Sequence, residues 1–330
     1  MRGGDARQSS YGDFGRATPL GASRKLSGQV GKVGFSQPCL QDRDSVDQQI
    51  RTAWKNYYTL ALGRSEQEAL LRAERDVDRS QARQVVQELA ISGWPLESQR
   101  ILDLGSGLGS LASELARRGA RVVAVEPCES WRLLSQRRCR QARLDVTHSA
   151  ADAQELPFPD ATFDSCISLQ VLEHVKSPQR VIREISRVLR PKGRFLVRCE
   201  NYLSFREQHY ALAWLPALPK WLAAWYLRCR GRDPRFLHEH ITYIYWPQLV
   251  RWFLEAGLID DEWQDIVNRC AARQLTRKER ISSALTGRWG GDSQVTAQLI
   301  CMRNWRKLFR LGFVAQGCRR SKPLAMQVSP

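Results

Sequence analysis

One stretch limits what this chain can fold into more than any other: Ile101-Leu102-Asp103-Leu104-Gly105-Ser106-Gly107-Leu108-Gly109. Its apolar opening, broken only by Asp103, reads as the end of a buried parallel strand. Glycines at alternate positions follow, and Ser110 to Arg118 then carries helical periodicity. The unit is strand, glycine loop, helix. Glycine allows the sharp backbone turn and lets a ligand approach without meeting a Cβ. The helix beyond offers unpaired N–H groups at its start. The spacing is G-x-G-x-G, not the dinucleotide pattern G-x-G-x-x-G, and no Lys-Ser or Lys-Thr pair marks a phosphate loop. An Asp beside such a turn can reach an amino-acid moiety or a ribose. The next strand, Arg121-Val122-Val123-Ala124-Val125, ends in Glu126, and an acid there suits two ribose hydroxyls.

Further landmarks follow in order: Ala151-Asp152-Ala153-Gln154-Glu155-Leu156-Pro157-Phe158-Pro159-Asp160, Phe163-Asp164, Val171-Leu172-Glu173-His174-Val175, and Val188-Leu189-Arg190-Pro191-Lys192-Gly193-Arg194-Phe195-Leu196-Val197. Together with the glycine loop they resemble the class I S-adenosylmethionine-dependent methyltransferases of the type 11 group, over residues 98–201. The resemblance implies a Rossmann-like seven-stranded, mostly parallel α/β sheet with helices on both faces. It implies S-adenosylmethionine as methyl donor and no metal. By the same resemblance Asp103, Leu104, Gly105, Ser106, Gly107 and Gly109 shape the methionine and ribose site, and Glu126 holds the ribose. Asp152 and Ala153 read the adenine, and Gln170 closes strand four near the methionine part.

Around this core, residues 1–45 lack a periodic apolar face and read as a disordered basic tail, with no apolar core of a signal peptide. Residues 46–94 read as N-terminal helices, Asp47 to Tyr58 and Glu66 to Ala90, and the resemblance implies that they cover the donor pocket. Strands are expected at about 100–104, 121–125, 143–147, 163–169 and 193–199, with helices at 108–118, 129–141 and 178–189 and a short turn at 154–156. Closing strands are expected within 254–303: one from Leu258 to Val267, and an antiparallel one over 295–302. A basic tail, 304–330, completes the chain.

The acceptor side must come from outside the core. Residues 202–253 form an aromatic-rich helical insertion holding His209, His238 and His240, three of the five histidines, beside Glu207 and Glu239. That composition suits a pocket that binds a ring and takes a proton, so the three histidines are the candidate catalytic residues; a packed helical cap is the alternative. His174 reads as a structural histidine of the scaffold. The apolar run 211–227, followed by Arg228, Arg230 and Arg232, is too short and too interrupted to span a bilayer. It has the make-up of an interfacial element.

The expected acceptor is a small-molecule or glycan-type hydroxyl, lipid-linked in one version. The formal charge of +17, from 51 basic and 34 acidic residues, points to anionic membrane or nucleic acid as a peripheral contact through the basic tail. An RNA methyltransferase is therefore one alternative. A cofactor-binding regulatory protein without turnover is another. Nine cysteines without a C-x-x-C pair argue against a zinc site or a disulfide framework. They fit a cytoplasmic location, peripheral to a membrane if the interfacial element is used.

Overall fold

The protein is described here from a computed structural model, which covers residues 45–260 and 312–319. Five parallel strands are β1 (Arg100–Leu104), β2 (Arg121–Val125), β3 (Val146–Ser149), β4 (Phe163–Leu169) and β5 (Leu189–Glu200). A small hairpin, β6 (Arg206–Glu207) and β7 (Leu212–Ala213), follows. Then come β8 (Leu258–Asp260) and β9 (Gly312–Arg319). The main sheet runs β3-β2-β1-β4-β5-β9-β8, with β9 antiparallel to both neighbours. Strand order reverses between β1 and β4, so a crevice opens at their C-terminal ends. That is the edge on which the glycine loop lies.

The helices are α1 (Val46–Asn56), α2 (Glu66–Val77), α3 (Ser80–Ile91), α4 (Ser110–Arg117), α5 (Glu129–Gln141), α6 (Pro178–Val188), α7 (Lys220–Cys229), α8 (Arg235–His240) and α9 (Trp246–Glu255). Alternation along the strands feeds the two faces. Leu102, Leu104, Val123, Phe195 and Val197 pack beneath α6 and α9. Ile101, Val122, Ala124 and Leu196 pack beneath α3 and α4. A separate aromatic cluster of the insertion joins Tyr202, Tyr210, Trp214, Leu227 and Phe236 to Tyr57 and Tyr58. The two last residues lie on a π-helical turn, Tyr57–Ala61, that continues α1.

The N-terminal helices are tied to the core by a buried polar contact. Arg138 Nη1 donates to Asp76 Oδ1 at 2.7 Å, and Trp54 Nε1 donates to Asp76 Oδ2 at 2.9 Å.

Several boundaries differ from expectation. The helix expected from Glu66 to Ala90 is two, α2 and α3. Arg79 takes a left-handed φ of 58°, the Asp78 side chain accepts from Ser80 N at 2.7 Å, and Arg79 Nε reaches Glu114 Oε1 at 2.7 Å. Side-chain bonds at the break thus replace the lost helical ones. β3 begins three residues later than expected because Arg143, at φ 54°, is still turning out of α5. The closing antiparallel strand is Gly312–Arg319, inside the stretch read as a basic tail; the expected 295–302 lies outside the described residues, as does the remainder of 258–267 beyond Asp260. Gly312 pairs with Glu200 and Cys318 with Arg194. Ala315 is fully buried, and small residues suit a slot between two strands with helices above and below.

Candidate active site

The donor half is built from the loop after β1. Gly105, Gly107 and Gly109 all have left-handed φ, at 75°, 55° and 76°. The N–H groups of Gly105 and Ser106 both donate to Val125 O at 2.9 Å, which holds the loop against the end of β2. The glycines are needed for packing as well as for φ. A Cβ on Gly105 would lie 2.2 Å from Val171 Cγ2, and one on Gly109 would lie 2.8 Å from Ser135 Cβ. At Gly107 a Cβ meets only ordinary contact with Trp131 at 3.6 Å. Clearance for a ligand is thus not what fixes the first and third glycines.

Glu126 closes the half-site from β2. Its carboxylate accepts from Gly107 N and Cys128 N, both at 2.9 Å. Burial raises its pKa, and these two bonds hold the rise back. Asp103 is 2% exposed, and its Oδ2 has no hydrogen-bond partner among the described residues; nor has Ser106 Oγ. Burial, with the Glu126 charge second, pushes the Asp103 carboxyl up to about 7. Two orphaned buried polar atoms and a carboxylate gathered at one crevice fit a polar ligand bearing hydroxyls and a cation. Leu104 is buried in the sheet.

The rest of the predicted donor site is mixed. Asp152 is exposed, and its Oδ1 accepts from Gln154 N at 2.8 Å, the Asx-turn geometry of a loop former. Ala153 is buried beside Leu156. Gln170 is exposed, with φ 57°, and its N–H donates to Arg198 O at 2.7 Å. It shapes the exit from β4, and Val171 then fills the space Gly105 leaves. Trp131 was not foreseen. It packs against Trp54 and Tyr57, at 5.7 and 5.9 Å between ring centroids, and so links the glycine loop to the aromatic cluster. Its helical spacing alone gave no signal.

In the stretch expected to take the acceptor, a buried polar cluster centres on His209. Its Nδ1 lies 3.0 Å from Glu207 Oε1 and 3.3 Å from Glu200 Oε2, and its Nε2 lies 3.3 Å from His174 Nε2. Glu200 ends β5, and Glu207 is fixed by Tyr210 N–H at 2.6 Å. Glu173, fully buried, adds a third carboxylate whose two oxygens have no partner among the described residues. Burial, and Glu200 next, pushes it up to about 8, so at neutral pH it is mostly protonated.

The hydrogen bonds fix the protons of the histidine pair. His174 Nδ1 faces the carbonyl of His240 at 3.1 Å and must carry hydrogen. His209 Nδ1 faces carboxylates and must carry one too. One of the facing Nε2 atoms then carries a third, so the pair holds a single positive charge. It sits on His209: burial alone would lower that pKa, but Glu200 and Glu207 outweigh burial and raise it well above the ordinary value. His174 is the neutral member of the pair, its pKa lowered by desolvation and then by the His209 charge. Its outer edge meets solvent, while both nitrogens are engaged inward.

Of the three predicted histidines, then, only His209 is in the cluster. His238 is exposed on α8. His240 lends its carbonyl; its own ring rests on Phe236 at 5.2 Å. His174, read from sequence as scaffold, is the partner instead. The same groups bring carboxylate and imidazole atoms within 4.8 Å of one another, in the sets Glu173–His174–His209 and Glu200–Glu207–His209. These sets have a composition that can hold a divalent ion, although no ligand spacing in the sequence announces it. His209 is nonetheless fully hydrogen-bonded by protein groups alone.

Sheet order, switch-point crevice and glycine loop define a Rossmann-like class in which a nucleotide-type ligand lies over β1 and β2. Residues 102–197 match the family model described as "Methyltransferase domain", and the chain carries a class I methyltransferase domain. It is similar to a ubiquinone biosynthesis O-methyltransferase from Methylocella silvestris, 33% identical over 128 residues, covering 37% of this chain and 50% of that protein. It is also similar to a demethylmenaquinone methyltransferase from Clavibacter sepedonicus, 38% identical over 107 residues, covering 32% and 42%. The chain spans about half the length of the curated relatives it matches. Among solved structures, a phosphoethanolamine N-methyltransferase from Haemonchus contortus aligns with a TM-score of 0.45 and 16% identity, over 73% of this chain and 52% of that one.

Proposed function

We propose that the protein transfers a methyl group from S-adenosylmethionine to a hydroxyl of a small-molecule acceptor carrying an aromatic or sugar ring. The reading rests on one observation: a solvent-reaching His174 whose Nε2 lies 3.3 Å from His209, itself backed by two carboxylates, beside the glycine-loop crevice. Asp103, Ser106, Gly107 and Glu126 are the residues that would hold the donor. When bound, that donor supplies a methyl group already activated on a sulfonium.

The chain's own residues must orient the acceptor, keep water out and take one proton. A hydroxyl that displaces His209 from the Nε2 of His174 finds a neutral imidazole lone pair. The proton moves from oxygen to that nitrogen as the oxygen lone pair is committed to the methyl carbon. Two imidazolium charges then face the carboxylates of Glu200 and Glu207, while the protonated Glu173 adds no charge. Tyr57, Tyr58 and Phe236 supply ring-stacking surface around the pair. The name of the ubiquinone biosynthesis O-methyltransferase agrees with an oxygen acceptor. A lipid-linked version of that acceptor suits the apolar insertion.

The test is turnover of donor to S-adenosylhomocysteine with a panel of catechols, phenols, sugars and primary amines. Methylation of hydroxyls, with His174→Gln slowed about 10²–10⁴-fold at unchanged donor affinity, supports the reading. Methylation of amines alone, unaffected by His174→Gln, refutes it.

A further inference from the structure

The insertion carries a second feature that the transfer chemistry does not use. Helix α7 buries Ala223 and Leu227 against the aromatic cluster, yet turns Trp221 and Trp225 outward, 72% and 60% exposed. Spaced four apart, they share one stripe of the helix. Beside them stand Phe205, 61% exposed, and Leu215, 63% exposed. The hairpin that leads to them is fastened to this helix: Trp214 N–H donates to Phe205 O at 2.8 Å, and Tyr226 OH donates to Ala213 O at 3.1 Å. Large apolar side chains exposed together mark an interaction surface.

The rim says what covers it. Arg206, Arg228 and Arg230 are exposed and make no ion pair among the described residues. Exposed tryptophan flanked in sequence by exposed arginine matches a bilayer interface, where indole rings settle at headgroup depth and arginine meets anionic lipid. A second copy fits less well, because a two-fold contact through this face would set like charges together. No helix among the described residues is long and apolar enough to cross a membrane. We infer that the Trp221–Trp225 face docks the protein on the surface of an anionic bilayer, with α7 lying in the interface. This inference is independent of the acceptor's identity.

Co-sedimentation with phosphatidylcholine vesicles, with and without phosphatidylglycerol, tests it. The full chain is expected to pellet with the anionic vesicles and to be released by salt. Trp221→Ser with Trp225→Ser should weaken binding about tenfold or more. Arg228→Gln with Arg230→Gln should weaken it about fivefold per arginine. All four side chains are exposed, so thermal midpoints should hold; should the tryptophan variant unfold, the arginine variant still decides. Failure of the wild type to pellet overturns the inference, as does equal pelleting of the folded variants. So does a dimer seen by light scattering that is lost with Trp221 and Trp225, or tryptophan-dependent retention on RNA without vesicle binding.

Discussion

Asp103→Asn should gain stability relative to wild type as the pH rises from 5 to 8. In the folded protein Asp103 titrates at about 7, against about 3.9 for an unperturbed Asp. Between those values the folded state binds more protons than the unfolded one, so stability falls as pH rises. At about 1.36 kcal/mol per pH unit, the raised pKa of Asp103 costs about 1.5 kcal/mol at pH 5, where folding takes up a proton, and about 4 kcal/mol above pH 7. Asn keeps the shape and does not ionise, but its amide meets the environment in which Asp103 Oδ2 has no partner, a loss of about 1–3 kcal/mol at every pH. Relative to wild type the variant should therefore gain about 2.5 kcal/mol between pH 5 and pH 8, whatever the amide cost. Glu126 and Glu173, also raised by burial, add slope to both proteins and largely cancel in the difference. Urea unfolding of both proteins at the two pH values measures it. A constant difference across pH would refute the reasoning. Calorimetry on the same pair should show the variant binding S-adenosylmethionine about 1–3 kcal/mol more weakly, which sets stability against donor binding at one residue.

Gly109→Ala is expected to lower stability by about 1–3 kcal/mol, since φ is left-handed and Ser135 occupies the Cβ position; thermal unfolding checks it. Arg138→Met strands Asp76 inside the protein and should cost about 3–5 kcal/mol, with Asp76→Asn in the same chain recovering part; denaturant midpoints of single and double variants decide. Glu207→Gln removes one of the two carboxylates that raise the His209 pKa, so NMR titration of the imidazole should place it lower than in wild type. Chelator treatment should leave turnover unchanged if the His209 cluster works through protons; loss of activity restored by a divalent ion would assign that cluster to metal.

The glycine loop was legible because three constraints coincide there: a buried strand, left-handed glycines and an acid at the next strand's tip. Asp103 and Glu126 are where the pattern puts them. What the pattern misjudged was the reason for two of the glycines, which make room for Val171 and Ser135, side chains far along the sequence. The acceptor half was legible only as composition. His174 and His209 lie on different segments, and nothing local says that β5 and the hairpin fold them together, or that His238 faces away. Arg79 hid the break between α2 and α3, because a left-handed arginine leaves no glycine or proline to mark it. β9 was missed because Val295 to Met302 is the more apolar run, while Gly312–Arg319 is broken by Gln316 and Gly317 and lies in a basic stretch.

The placement of β9 also sets an order of assembly. Glu200 pairs with Gly312, so the last wall of the sheet closes through one of the most distant contacts in the chain. The five parallel strands can form through short crossovers and meet their own helices. β5 and β8 then wait with bare edges until Gly312–Arg319 arrives between them. During synthesis on the ribosome those edges are the surfaces most exposed to mispairing. A premature stop upstream of Gly312 would leave the glycine loop intact while producing a chain with open edges, prone to aggregate.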